Sequence, residues 1–153
     1  MATTTTDLFR SVMGDGFKRI KEGVYPGDGV LDPRWADTQR FVKRTGKWKT
    51  DRADVKIVAG KDGPEVEAGG GTSLHDVSGW YLGREFRIPI GTEYSDEIYI
   101  KKDDKLKTSE ATGVSGRHYQ LEPRTQMTVL AFKGYLDNMA RAAVARQVAL
   151  AKG

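Results

Sequence analysis

From Arg117 the chain reads R-H-Y-Q-L-E-P, and from Met127 it reads M-T-V-L-A-F-K-G-Y-L-D-N-M-A-R-A-A-V-A-R-Q (residues 127–147). The two stretches obey different periods. Arg117–Leu121 predicts a strand stopped by Pro123, with His118 on one face and Arg117 and Tyr119 on the other. Beyond it, Met127, Leu130, Leu136, Met139, Ala143 and Leu150 recur at helical spacing with alanines between them. That pattern predicts one long helix over 126–152, with Gly134 as a point of interruption. Strands followed by a long final helix, with no alternating βαβ series, indicate an α+β fold of mixed, mainly antiparallel sheets with flanking helices.

Further strands are expected at Leu8–Met13, Val55–Ala59, Glu85–Ile90 and Asp96–Lys101, with Phe86, Ile88 and Ile90 sharing one face. Gly14–Gly29 holds five glycines and Pro26 and reads as turn and loop. Asp32-Pro33 offers an N-cap acid followed by proline, which predicts a helix ending near Gly46 with Trp35, Phe41 and Val42 facing the core. Gly60–Gly71 reads as a long glycine-rich loop. Thr72 or Ser73 then caps a short helix, with Asp76 in the reaching-back place of a capping box and His75 exposed on that helix. Lys101–Gly116 is polar and reads as a mobile connection. Residues 1–6 read as a frayed polar tail of a single domain spanning 1–153.

The 153 residues are 38% hydrophobic and 30% charged, as in a soluble globular protein. No stretch approaches the roughly 20 apolar residues that span a bilayer. The opening M-A-T-T-T-T-D lacks the basic start and apolar centre of a secretory leader. Absence of cysteine excludes disulfides, thiol nucleophiles and zinc ribbons, and two histidines alone make no zinc site, so no metal is expected. The net charge of +4 is unevenly spread: R-F-V-K-R-T-G-K-W-K (Arg40–Lys49) carries cations interleaved with Phe41 and Trp48 and no acid. Such a patch suits a polyanion or an acidic protein, or is simply a solvated face.

Few residues are fit for chemistry. A-G-G-G-T-S (Ala68–Ser73) is either a turn with a helix cap or a backbone stripped of side chains so that a polar ligand can approach. His118 on a strand is either a hydrogen-bonded core residue or a catalyst. Arg10, on the first main strand, is a surface residue or the anchor of an anion such as phosphate. Neither a P-loop lysine nor a G-x-G-x-x-G after a strand is present, which disfavours ATP and Rossmann-type dinucleotide binding.

L-F-R (Leu8–Arg10), I-V-A-G-K-D-G (Ile57–Gly63), G-G-T-S (Gly70–Ser73) with Asp76, F-R-I-P-I-G-T (Phe86–Thr92), H-Y-Q-L-E-P (His118–Pro123) and G-Y-L-D-N-M-A-R (Gly134–Arg141) with Arg146-Gln147 together resemble a known family. It is the pseudomonad type VI secretion exported toxin number two family, cytotoxins with an ADP-ribosyltransferase-like fold. The stretch 25–54 matches poorly. The resemblance implies that Thr72, Ser73 and His118 carry toxicity. It also implies that NAD is the ADP-ribosyl donor, gripped by Arg10, Gly70, Gly71, Thr72, Ser73 and Tyr119. Related transferases carry a catalytic glutamate, for which Glu93, Glu97, Glu110 and Glu122 are candidates by position only, and His118 is an alternative occupant of that role. The family further implies interbacterial competition: type VI delivery without a signal peptide, action in the target cell's cytoplasm, and neutralisation in the producer by an immunity protein. Because this chain is basic, that partner is expected to be acidic. Two rival readings are an NAD glycohydrolase and a metal-independent ribonuclease using His75 and His118 as an acid–base pair. A third is a non-catalytic module that sequesters a partner.

Overall fold

The computed structural model describes residues 1–12 and 27–152. The turn-rich reading of Gly14–Gly29 therefore falls largely outside the described residues. In chain order the strands are β1 (Ala2–Thr3), β2 (Leu8–Val12), β3 (Thr38–Val42), β4 (Lys47–Asp51), β5 (Ile57–Gly60), β6 (Gly63–Val66) and β7 (Thr72–His75). They continue as β8 (Arg84–Ile88), β9 (Glu93–Tyr94), β10 (Ile98–Lys102), β11 (Lys107–Thr108), β12 (Ser115–Gly116), β13 (His118–Pro123) and β14 (Met127–Thr128). Helix α1 (Val129–Lys152) closes the chain.

A five-stranded sheet in the order β10-β13-β7-β2-β8 forms the centre, antiparallel at every junction. A three-stranded sheet β14-β6-β5 and the pairs β3–β4, β11–β12 and β1–β9 surround it. Alternation sorts the central strands into two faces. Leu74, Phe86, Ile88, Ile98, Tyr119 and Leu121 point to one side and meet Phe132, Leu136, Met139, Ala140 and Ala143 of α1. Each fully buried Leu or Phe there contributes about 1.5–3 kcal/mol by leaving water. α1 starts one residue after Thr128, whose Oγ1 accepts the Ala131 amide (3.1 Å) and so satisfies one orphan donor of the first turn. Gly134 does not interrupt it.

The mixed α+β architecture agrees with the sequence; several local elements do not. The expected Asp32–Gly46 helix is a loop followed by the β3–β4 hairpin. Thr38, Val42 and Thr50 favour extended backbone, and Gly46 takes the left-handed conformation (φ 66°) that the turn needs. Asp32 caps nothing: its carboxylate accepts Trp35 Nε1 (3.3 Å) and Lys133 Nζ (2.9 Å). Phe41 and Trp48 lie on the surface rather than in the core. The short helix at Ser73 is strand β7, because Asp76 Oδ1 reaches across to the Arg117 amide (2.7 Å) instead of back to Ser73. The Gly60–Gly71 loop contains β6, and Lys101–Gly116 contains the β11–β12 pair. The N-terminal residues also take part in pairing. β1 pairs with β9, and buried Thr4 donates Oγ1–H to the Pro89 carbonyl (2.8 Å) and accepts the Thr92 amide (3.0 Å).

Candidate functional site

The central sheet is weakest between β7 and β2. These neighbours share one register pair, Phe9↔His75, whereas β2 and β8 share the five pairs from Leu8↔Ile88 to Val12↔Arg84. Beyond Phe9↔His75, Arg10 bridges the gap with its side chain. Its Nη1 donates to the Ser73 carbonyl (3.0 Å) and its Nη2 to the Asp32 carbonyl (2.9 Å). One guanidinium thus ties a strand, its neighbour and the loop at Asp32, which a planar fork of donors can do and an ammonium cannot. Burial lowers the Arg10 pKa, opposed by the carboxylates of Asp54 and Asp32, and arginine nonetheless stays cationic.

A cleft of about 1270 Å³ opens at this split. Ser73 and His75 of β7 and Phe9, Arg10 and Ser11 of β2 line it. Arg34, Arg40 and Lys49 bring cations to its rim, and Trp80 and Tyr81 bring aromatic faces. Trp80 and Tyr81 sit on a turn between Gly79 (φ 81°) and Gly83 (φ 118°). That turn is fixed by Glu85, whose carboxylate accepts Ser78 Oγ (2.7 Å) and the Gly79 amide (2.9 Å).

His75 is not the exposed helical side chain expected. It is 6% exposed and stacks on Trp80 with centroids 4.1 Å apart and planes at 10°. Its register partner on β13 is His118, ring to ring at 5.4 Å. Burial pushes the His75 pKa down to about 4, with His118 adding to the effect and Asp76 opposing it. Burial likewise lowers His118, against the pull of Asp103. Both rings are neutral at pH 7.

Of the residues expected at the site, the structure brings together Arg10 and Ser73, with His118 one strand further away behind His75. It separates the others. Thr72 alternates to the core face, fully buried, and its Oγ1 donates to the Leu31 carbonyl (2.5 Å). Tyr119 belongs to the core cluster beside its register partner Leu74, on the face opposite His118. Gly70 and Gly71 are bare because protein backbone approaches them. A Cβ on Gly71 would lie 1.7 Å from the Leu121 carbonyl oxygen, and one on Gly70 would lie 2.4 Å from the Asp54 carbonyl oxygen. Neighbouring backbone fills the space beside these glycines, and no helix N-terminus follows them. Glu93, Glu97, Glu110 and Glu122 do not line the cleft, whereas Glu85 does. The sequence reading also passed over Trp80 and Tyr81, for which two adjacent aromatics bracketed by Gly79 and Gly83 are the available signal.

The family model described as Tse2 ADP-ribosyltransferase toxin matches residues 6–148. Among curated proteins, Toxin Tse2 of Pseudomonas aeruginosa is 38% identical over 100 residues, which is 63% of this chain and 60% of that relative. The match thus spans less than two thirds of the relative's length. No helix among the described residues is long and apolar enough to cross a membrane.

Proposed function

The chain belongs to the Tse2 ADP-ribosyltransferase toxin family, and on that premise we propose that it is an antibacterial toxin whose β2–β7 cleft takes NAD as ADP-ribosyl donor. One observation carries the reading: a single cleft combines a half-buried guanidinium, rim cations, aromatic faces and unengaged hydroxyls. That set suits a dinucleotide. Two phosphates need cations, two ring systems need flat partners, and two sugars need hydroxyl contacts. The volume exceeds the range of roughly 300–1,000 Å³ typical of small-molecule pockets.

Arg10, Arg34, Arg40 and Lys49 would neutralise the pyrophosphate. Two of Arg10's nitrogens are committed to carbonyls, so its part is to hold the cleft's shape and add long-range positive potential. Tyr81 and Trp80 would cover the rings and exclude water. The Ser73 hydroxyl has no hydrogen-bond partner among the described residues and is free to meet a ribose hydroxyl. Bound NAD supplies the chemistry, since its nicotinamide leaves as a neutral group while positive charge develops on the sugar. Neutral His75 and His118 place no cation against that charge. His118 is a positioning residue, holding the His75 ring on Trp80. Thr72 positions too, by holding the Leu31 carbonyl next to Asp32.

The ribonuclease reading is weaker. An acid–base pair needs one imidazolium near working pH, and a His75 pKa of about 4 does not provide one. Family membership also favours delivery by the type VI apparatus into the target cytoplasm and an acidic immunity protein in the producer. Nicotinamide release from NAD by the purified protein, with and without a bacterial lysate, tests the proposal. Release that requires lysate and falls about 10²-fold in Ser73→Ala supports a transferase. Release without lysate would make it a glycohydrolase, and no release under either condition would overturn the NAD reading.

A further inference from the structure

Two serines stand level with each other where the central sheet parts. On β2, Leu8 and Val12 are buried in the core, so alternation gives Phe9 and Ser11 the opposite face. On β7, Leu74 is buried likewise, and Ser73 and His75 share that opposite face. Phe9↔His75 is the one register pair between these strands. Two residues further along in antiparallel register, Ser11 comes level with Ser73. Arg10 Nη1, donating to the Ser73 carbonyl (3.0 Å), ties the strands together at that point. Both serines are half-buried and both line the cleft. Neither hydroxyl has a hydrogen-bond partner among the described residues. Hydroxyls withdrawn from water are costly to leave unpaired. Two of them on one face, either side of a split, call for a ligand that brings a polar group to each.

The charges around the pair identify which part of NAD that is. Glu85 on β8 is the register partner of Ser11. Its carboxylate holds the turn that carries Trp80 and Tyr81, and it forms no ion pair among the described residues. On the other side of β2, Arg10 binds the Ser73 and Asp32 carbonyls, and Arg34 follows Asp32 in the cleft wall. The nicotinamide ring of NAD is cationic and suits a carboxylate and aromatic faces, whereas the pyrophosphate suits the arginines. The sugar between those two groups is the nicotinamide ribose. We infer that Ser11 is a substrate-binding residue that, with Ser73 across the split, takes the two hydroxyls of the nicotinamide ribose, a role that rests on the NAD reading of the cleft. Each serine hydroxyl both donates and accepts, as each sugar hydroxyl does, so the pairing leaves no polar group unmatched. It orients the sugar whose bond to nicotinamide breaks.

The test is a calorimetric titration of wild type and Ser11→Ala with two ligands. One is carbocyclic NAD, whose bond to nicotinamide does not hydrolyse. The other is its counterpart lacking both hydroxyls on that ring. Ser11→Ala removes only an unengaged hydroxyl, and circular dichroism confirms its fold. It should weaken carbocyclic NAD about 3- to 10-fold, the worth of one neutral hydrogen bond. The dideoxy counterpart has nothing to lose there, so its affinity should change by less than about 2-fold. A merely structural role for Ser11 would weaken both ligands alike. Equal loss with the two ligands, or no loss with either, overturns the role of Ser11 while wild-type binding leaves the NAD reading standing. No saturable binding of carbocyclic NAD to wild type overturns both.

Discussion

Replacing Gly71 by alanine separates two explanations of the triple glycine. If Gly69–Gly71 were bare for a ligand, Gly71→Ala would fold normally and lose NAD. The structure demands the opposite. The new methyl would sit 1.7 Å from the Leu121 carbonyl oxygen and 3.1 Å from Glu122 Cα, on the strand paired with β7. Backbone cannot yield as the tip of a flexible side chain does, so β13 must withdraw by more than 1 Å at the Thr72↔Leu121 pair. Overpacking of this kind costs about 1–3 kcal/mol, and the disturbed ladder bonds add roughly 1 kcal/mol each. A total near 4 kcal/mol lowers the melting temperature by roughly 8–15 °C for a domain of this size. Gly69→Ala is the companion variant. It meets open space but must adopt φ near +103°, so only backbone strain of about 1–2 kcal/mol applies. Thermal unfolding by circular dichroism, repeated in urea, reads both. Gly71→Ala melting within 2 °C of wild type yet unable to turn over NAD would refute this account of the glycines.

Other variants test the framework around the cleft. Thr72→Val keeps the shape but leaves the buried Leu31 carbonyl without its donor; thermal melts should show a loss of about 1–3 kcal/mol, accompanied by slower nicotinamide release. Arg10→Lys cannot span the Ser73 and Asp32 carbonyls at once and should lower the urea midpoint by an amount equivalent to about 1–3 kcal/mol. His75 has a folded pKa of about 4, below its unfolded value near 6.5, so between these limits the unfolded chain binds more protons. Stability should therefore fall as pH drops through that window and be unaffected by this group above it. His75→Phe, which keeps a flat ring on Trp80, should flatten the difference in urea midpoint between pH 7 and pH 5; an unchanged difference would contradict the assignment.

The parts of the fold that were legible in sequence are those whose signal is local. Alternation at Phe86–Ile88 and at His118–Leu121 marked strands, and the recurrence of Leu136, Met139 and Ala143 marked the helix that covers them. The failures share a cause. Asp32-Pro33 and Ser73 with Asp76 carry the chemistry of helix starts, but in each case the acid accepts from a partner distant in sequence, Lys133 for Asp32 (alongside the Trp35 indole) and Arg117 for Asp76, and not from a helix amide. Gly71 announced a close approach without naming what approaches, and Leu121 is invisible until β13 is paired with β7. Arg10, Ser73 and His118 were found because the resemblance pointed to them. Thr72, from the same motif, proved to serve the core, since adjacent strand residues cannot face one cleft together.

The measurement closest to the central claim is a calorimetric titration of NAD into wild type and into Ser73→Tyr, which fills the split between β2 and β7 while leaving the core face untouched. Saturable binding to wild type, weakened at least tenfold in a normally folded Ser73→Tyr, is the predicted result. Absence of saturable binding, or equal affinity in the two proteins, would contradict NAD occupancy of this cleft.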